Sequence, residues 1–261
     1  MMEGRGKEGP LANNATGAAM ISCIVPAHNE EALLGRTLSA LDTSMRALGE
    51  PFEVIVVDDA STDRTGEIAV EHGARVVSVN HRQIAATRNA GAAGAAGETL
   101  IFVDADTSVT ELAVRGAIEA LRQGAVGGGA SVRFDEGRLP FYARVLQFVL
   151  PTTLRMLRLA PGCFLFCTRE AYLAAGGFDE GLYAAEEVVF TQRLKRQGRF
   201  VILREFTITS ARKLRARSAF QLLWIGLRLA VGGEKSLRRR EGLEFWYGPR
   251  EAGEKLQSKS S

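Results

Sequence analysis

Histidine and cysteine are both scarce in this chain of 261 residues, with three of each. Cys23, Cys163 and Cys167 form no C-x-x-C pair, and no His or further Cys stands close to Cys163 and Cys167. A zinc site and a disulfide framework are therefore not expected; reduced, buried thiols and a cytoplasmic setting are. His28, His72 and His81 are far apart in sequence, which argues against a histidine metal site and a His-based nucleophile. No run of 18 apolar residues occurs, so no membrane span is expected. The uncharged stretch 9–29 follows Arg5 and Lys7 as a signal peptide would, but Asn13, Asn14, Thr16 and Ser22 break its apolar core. No G-x-G-x-x-G follows the first apolar run, which removes the usual dinucleotide fingerprint. The net charge of +3 is too small to call for a nucleic-acid partner.

What is present is a series of short apolar runs that end in acids. Residues 1–19 read as a loose leader. Ile21–Val25, Glu53–Val57 and Arg75–Val79 then read as buried strands. Between the first two, Asn29 suits a helix N-cap, and Leu33, Leu34, Leu38, Leu41, Met45 and Leu48 fall on one helical face before Gly49. A shorter helix stops at Gly73. Strands alternating with helices at this spacing predict right-handed βαβ units and an α/β fold with a mostly parallel, Rossmann-like sheet.

The second strand closes on Asp58 and Asp59, and the run Thr99–Val103 closes on Asp104 and Asp106. Both pairs are expected at the carboxyl edge of one sheet, where ligands bind in open α/β folds. Carboxylates gathered there repel one another unless a cation or a hydrogen-bond donor intervenes. Two hard oxygen donors at such an edge suit Mg²⁺ or Mn²⁺ shared with substrate phosphates. The segment His81–Gly91 puts Arg82 and Arg88 near a helix amino end, a favourable place for an anion such as a diphosphate.

The second half is patterned differently. Gly127–Phe134 and Pro161–Thr168 read as strands, with Cys163 and Cys167 as core. Leu139–Leu159 mixes apolar residues with Arg144, Arg155 and Arg158, and Pro151 divides it. It reads either as a helix covering the sheet or as a surface meeting a membrane or a lipid-linked molecule. Glu186-Glu187 opens a helix that ends at Gly198, and Phe200–Leu203 and Thr207–Thr209 read as strands. Arg204–Arg240 is rich in Arg and Lys with only Glu205 and Glu234 as acids. Its part from Ala219 is amphipathic and suits an anionic membrane surface or packing on a protein partner. The expected organisation is one domain over 20–215, with halves meeting at 107, then an amphipathic and charged tail over 216–261.

Six segments carry a family resemblance: Ile24–Glu30, Val56–Asp63, Arg88–Gly91, Phe102–Asp106, Gly176–Glu180 and Glu186–Leu194. In this order and spacing they resemble the family 2 glycosyltransferases, which have the GT-A fold, over roughly residues 20–210. The resemblance implies inverting, metal-assisted transfer of sugar from a UDP- or GDP-linked donor to an acceptor hydroxyl or a lipid-linked acceptor. It puts Pro26, Ala27 and Glu30 around base and ribose, Asp59 on the base, Asp104 at the ribose and the divalent metal on Asp106. Arg88 joins the nucleotide-binding set. By the same resemblance, the half of the domain up to 107 binds the nucleotide and the half beyond it the acceptor. Glu187 takes the register of the general base, one methylene longer than the usual Asp, so Glu186 stays a candidate as well. Some GT-A enzymes complete the metal shell with a histidine after the last strand; this chain has none there, and Arg212 and Lys213 stand ready to neutralise the diphosphate. A non-catalytic nucleotide-binding or membrane-associated scaffold and a nucleotidyltransferase on a related sheet are the alternative readings.

Overall fold

The computed structural model describes residues 20–135 and 160–212. The leader, the whole Leu139–Leu159 segment, Lys213 and the tail lie outside the described residues. The alternation read from the sequence is realised as β1 (Ile21–Ala27), α1 (Leu34–Leu48), β2 (Phe52–Asp59), α2 (Thr65–Glu71), β3 (Arg75–Val79), α3 (Ile84–Gly94) and β4 (Thr99–Val103). A two-residue β5 (Thr107–Ser108) precedes α4 (Glu111–Arg122), β6 (Ala125–Phe134) and β7 (Phe164–Thr168). α5 (Arg169–Ala174), α6 (Glu186–Gln197) and β8 (Arg199–Thr209) follow.

The eight strands form one sheet in the order β3-β2-β1-β4-β7-β6-β8-β5. Its first four strands are parallel, as Val/Ile-rich runs separated by helices demand. β7 then enters antiparallel to both β4 and β6, while β6 and β8 pair in parallel, so the second half of the sheet is mixed. β8 is continuous where two short strands were expected, because its register on β6 absorbs an irregularity between Gly129 and Ser131.

Alternation along the strands sends successive residues to opposite faces. Cys23, Val25, Val54, Val56, Ile101 and Val103 pack with Leu34, Leu38, Leu41 and Met45 of α1 and with Val114 and Ile118 of α4. Ile24, Ile55, Val57, Leu100 and Phe102 pack on the other face, with α3, α5, α6 and the aromatic pair Phe178 and Phe190, whose ring centroids are 4.2 Å apart. All three cysteines are buried and free, and burial pushes their thiols up, so they are core groups.

One local expectation fails. Asn29 does not cap α1, which begins at Leu34 with Leu33 as a cap residue lacking a side-chain bond. Asn29 lies in the left-handed region at φ +51°, and its side-chain oxygen accepts the amide of Thr62. The side chain is spent on the loop after β2, so the chain needs a further turn before the helix can start.

Candidate active site

The acids at the ends of β2 and β4 do share the carboxyl edge, and each is met by donors that relieve their mutual repulsion. Asp58 accepts the Ser61 amide at 3.1 Å. Asp59, 4% exposed, accepts four bonds: the amides of His81, Arg82 and Gln83 at 2.7, 2.8 and 3.2 Å, and the Thr87 hydroxyl at 2.8 Å. Desolvation pushes this carboxyl up, but the four donors together outweigh it and hold the group below the ordinary carboxylate range. Asp59 thus fastens the start of α3, with Arg82 turned into the left-handed region at φ +51°.

This predicts an acid-labile hinge point. A depressed folded pKa supplies stability that is complete above the unfolded value of about 3.9 and is lost as pH falls through the folded value. Thermal melts between neutral pH and pH 3 should show a steep acid-side loss of Tm that Asp59→Asn flattens, starting from a lower neutral Tm.

Arg88 follows Thr87 directly on α3 and is 3% exposed. Its Nη1 donates to Glu186 Oε1 at 2.8 Å, and its Nη2 donates to Asp104 Oδ1 at 2.9 Å and to the Gly162 carbonyl at 3.1 Å. Its face lies 5.2 Å from the Phe178 ring. Desolvation opposes the charge, yet Asp104, Glu186 and Glu187 together outweigh it and keep the guanidinium protonated. An arginine expected to meet a diphosphate is therefore buried under the edge and bound to protein.

The neighbouring α3 side chains do similar work. Gln83 Nε2 donates to the carbonyls of Glu180 and Leu182. Asn89 donates to the Phe178 carbonyl and Glu180, and accepts from Tyr172 and the Phe178 amide. Gln83, Arg88 and Asn89 thereby hold the whole 178–186 segment that delivers α6. The motif Arg88–Gly91 is visible in the sequence; this clamping role for Asn89, and any role for Gln83, is not.

Glu186 and Glu187 open α6 behind Ala185, which is left-handed at φ +59°. Glu186 is buried against Arg88, whereas Glu187 is half-buried beside it. A Cβ added to Gly162 would meet Glu187 Cγ at 3.3 Å and Arg88 Nη2 at 3.5 Å, so the bare backbone there leaves room for both. Burial first, and the adjacent Glu186 carboxylate second, push the Glu187 carboxyl far above its ordinary value; Arg88 opposes them only in part.

A second cluster lies at Asp106. Its Oδ1 is 3.4 Å from the Thr209 hydroxyl, and its carbonyl accepts the Ser210 amide. Arg212 Nη2 stands 4.0 Å from Asp106 Oδ2 and grips both oxygens of buried Glu30 at 3.2 and 2.9 Å. Glu30, expected at base and ribose, is thus bound across the edge to the end of β8. Pro26 and Ala27 are buried in β1. His28 lies above them, with its ring against Arg82 Nη1 and the Asp59 carbonyl. Among the described residues no group of three or more His, Cys, Asp or Glu is arranged to hold a metal ion. Asp106 as a single hard ligand still suits Mg²⁺ or Mn²⁺, which usually keep waters and take the remaining ligands from substrate phosphates.

A carboxylate-lined edge on a half-parallel sheet, faced by a helix carrying a further carboxylate, defines a GT-A type α/β protein. Solved structures share this fold: S. aureus TarS, residues 1–349, at TM-score 0.57, 20% identity, 84% of this chain and 68% of that one. So does glucosyl-3-phosphoglycerate synthase from Mycobacterium tuberculosis, crystallised with Mn²⁺, UDP and glucosyl-3-phosphoglycerate, at TM-score 0.56, 22% identity, 82% of this chain and 77% of that one. The glycosyl transferase family 2 profile matches residues 22–180, and the chain belongs to that family. One relative is an undecaprenyl-phosphate 4-deoxy-4-formamido-L-arabinose transferase of Pseudomonas paraeruginosa, 30% identical over 60% of this chain and 49% of its own. Another is a 4,4'-diaponeurosporenoate glycosyltransferase of Staphylococcus haemolyticus, 41% identical over 40% of this chain and 28% of its own. The chain thus spans about half, or less, of the length of these relatives. No helix among the described residues is long and apolar enough to cross a membrane.

Proposed function

We propose that the protein transfers a sugar, with inversion, from a UDP- or GDP-linked donor to an acceptor hydroxyl, with Glu187 as general base. The observation that carries this reading is the half-buried Glu187 at the start of α6, set beside Glu186 and Arg88 and within electrostatic reach of Asp104 at the end of β4. A base whose pKa lies near the working pH accepts a proton most effectively. In the step, the acceptor hydroxyl gives its proton to Glu187, its oxygen attacks the anomeric carbon, and the bond to the diphosphate breaks. Asp104 faces the ribose, and Arg212 lies where the diphosphate charge develops. Asp106 would hold a divalent ion, which as a Lewis acid draws charge from the leaving nucleotide. Complexes of neighbours with UDP, UDP-GlcNAc and Mn²⁺ favour the donor and metal assignments.

The undecaprenyl-phosphate in a relative's name favours a lipid-linked acceptor at the membrane surface. A lipid phosphate differs chemically from a hydroxyl: with a second pKa near 6 it arrives ionised and needs no base. Calorimetric titration of UDP and GDP, with and without Mn²⁺, into wild type and Asp106→Asn tests the donor side. One nucleotide should bind with metal dependence, and the variant should lose that dependence. Failure of both nucleotides to bind would overturn the reading and favour the scaffold.

A further inference from the structure

We propose that Arg88 is a positioning residue for the transfer, a buried guanidinium that ties the helix carrying the base to the donor-side carboxylate. This rests on the reading of Glu187 as base. Arg88 reaches three separate parts of the chain within 3.1 Å: Glu186 at the start of α6, Asp104 after β4 and the Gly162 carbonyl before β7. Its side chain and that of Glu186 are almost sealed from water, at 3% and 7% exposure, whereas Asp104 is 35% exposed. The network therefore has one open arm, and it lies at the donor edge. A guanidinium so enclosed, with both terminal nitrogens bonded to the protein, has little freedom to leave for a diphosphate. Its bidentate reach matches two carboxylates 82 positions apart in the chain, a job a lysine ammonium does poorly.

The same geometry distributes the work between the two glutamates. Glu186 is held by Arg88 and turned from the reaction. Glu187 is left beside it, faced by the Glu186 carboxylate from its own helix, by the Arg88 guanidinium from α3 and by the Asp104 carboxylate from the end of β4. Changing these neighbours should move Glu187 in opposite directions. Glu186→Gln removes a negative neighbour and lowers the Glu187 pKa; Arg88→Met removes the positive one and raises it.

The test uses full-length protein carrying ¹³C at the glutamate carboxyl carbon. The Glu187 resonance is identified by its loss in Glu187→Gln and titrated in wild type, Glu186→Gln and Arg88→Met. The midpoint is expected to fall by roughly one pH unit in the first variant and to rise by a similar amount in the second. Should Arg88→Met fail to fold, Glu186→Gln decides alone. UDP affinity, measured on Glu186→Gln, is expected to stay within about twofold while turnover of UDP-glucose falls at least tenfold. An unmoved Glu187 midpoint in Glu186→Gln, or a tenfold loss of UDP affinity there, overturns the proposal. Normal transfer by Glu187→Gln would instead remove the base assignment and leave the carboxyl shifts as they are, so the two failures are told apart.

Discussion

Glu187→Gln is expected to lower transfer to a hydroxyl acceptor by about 10²- to 10⁴-fold, the range that loss of a general base produces. Glutamine keeps the shape and removes the proton acceptor, so UDP affinity should hold. The pH profile carries the finer signature. Glu187 accepts a proton only when ionised, and its pKa is raised to about 8, so wild-type kcat should climb with pH through that region and level off above it. In the variant the climb should vanish. Two lipid acceptors sharpen the experiment: a short polyprenol and the corresponding polyprenyl phosphate, each offered with UDP-glucose and UDP-N-acetylglucosamine. A loss confined to the alcohol identifies Glu187 as the group that deprotonates a hydroxyl. Full activity of the variant on the alcohol would remove that role.

Gly91→Ala is expected to destabilise the fold by about 3 kcal/mol, at the upper end of what overpacking costs. An added Cβ would lie 2.4 Å from Ile24 Cγ2 and 2.8 Å from Val57 Cγ2. Both are β-branched residues in central strands, with few rotamers to retreat into. The helix would have to lift, taking Arg88 and Asn89 with it, so turnover should fall further than the residual folded fraction explains. Urea unfolding followed by circular dichroism, together with kcat per folded molecule, measures both parts. Wild-type stability in this variant would mean that α3 sits less tightly on the sheet than the glycine implies.

Much of this architecture is legible in the chain because its strands are short, apolar and regularly spaced by helices. Ile21–Val25, Glu53–Val57 and Thr99–Val103 announce a parallel sheet, and their terminal acids announce its ligand edge. The mixed half is harder to read. The antiparallel entry of β7 between β4 and β6 depends on pairing over long separations, for which neither Phe164–Thr168 nor Ala125–Phe134 carries a local signal. The site divides in the same way. Which acids gather at the edge follows from periodicity. Which of them are already engaged does not, because partnership is a tertiary property. Asp59 meets amides 22 to 24 residues on, Arg88 meets Glu186 98 residues on, and Glu30 meets Arg212 182 residues on. Helix-end electrostatics pointed Arg88 at an anion in solution; the anions it meets are the protein's own carboxylates.

The clamp that α3 places on residues 178–186 bears on how such a protein can be rebuilt. A segment from Gly176 to Gln197, exchanged for that of a relative to change the acceptor, would arrive without its fastenings unless Gln83, Arg88 and Asn89 found the same backbone carbonyls and carboxylate. The workable unit of exchange is therefore discontinuous: the acceptor segment together with a helix that lies about 90 residues earlier in the chain.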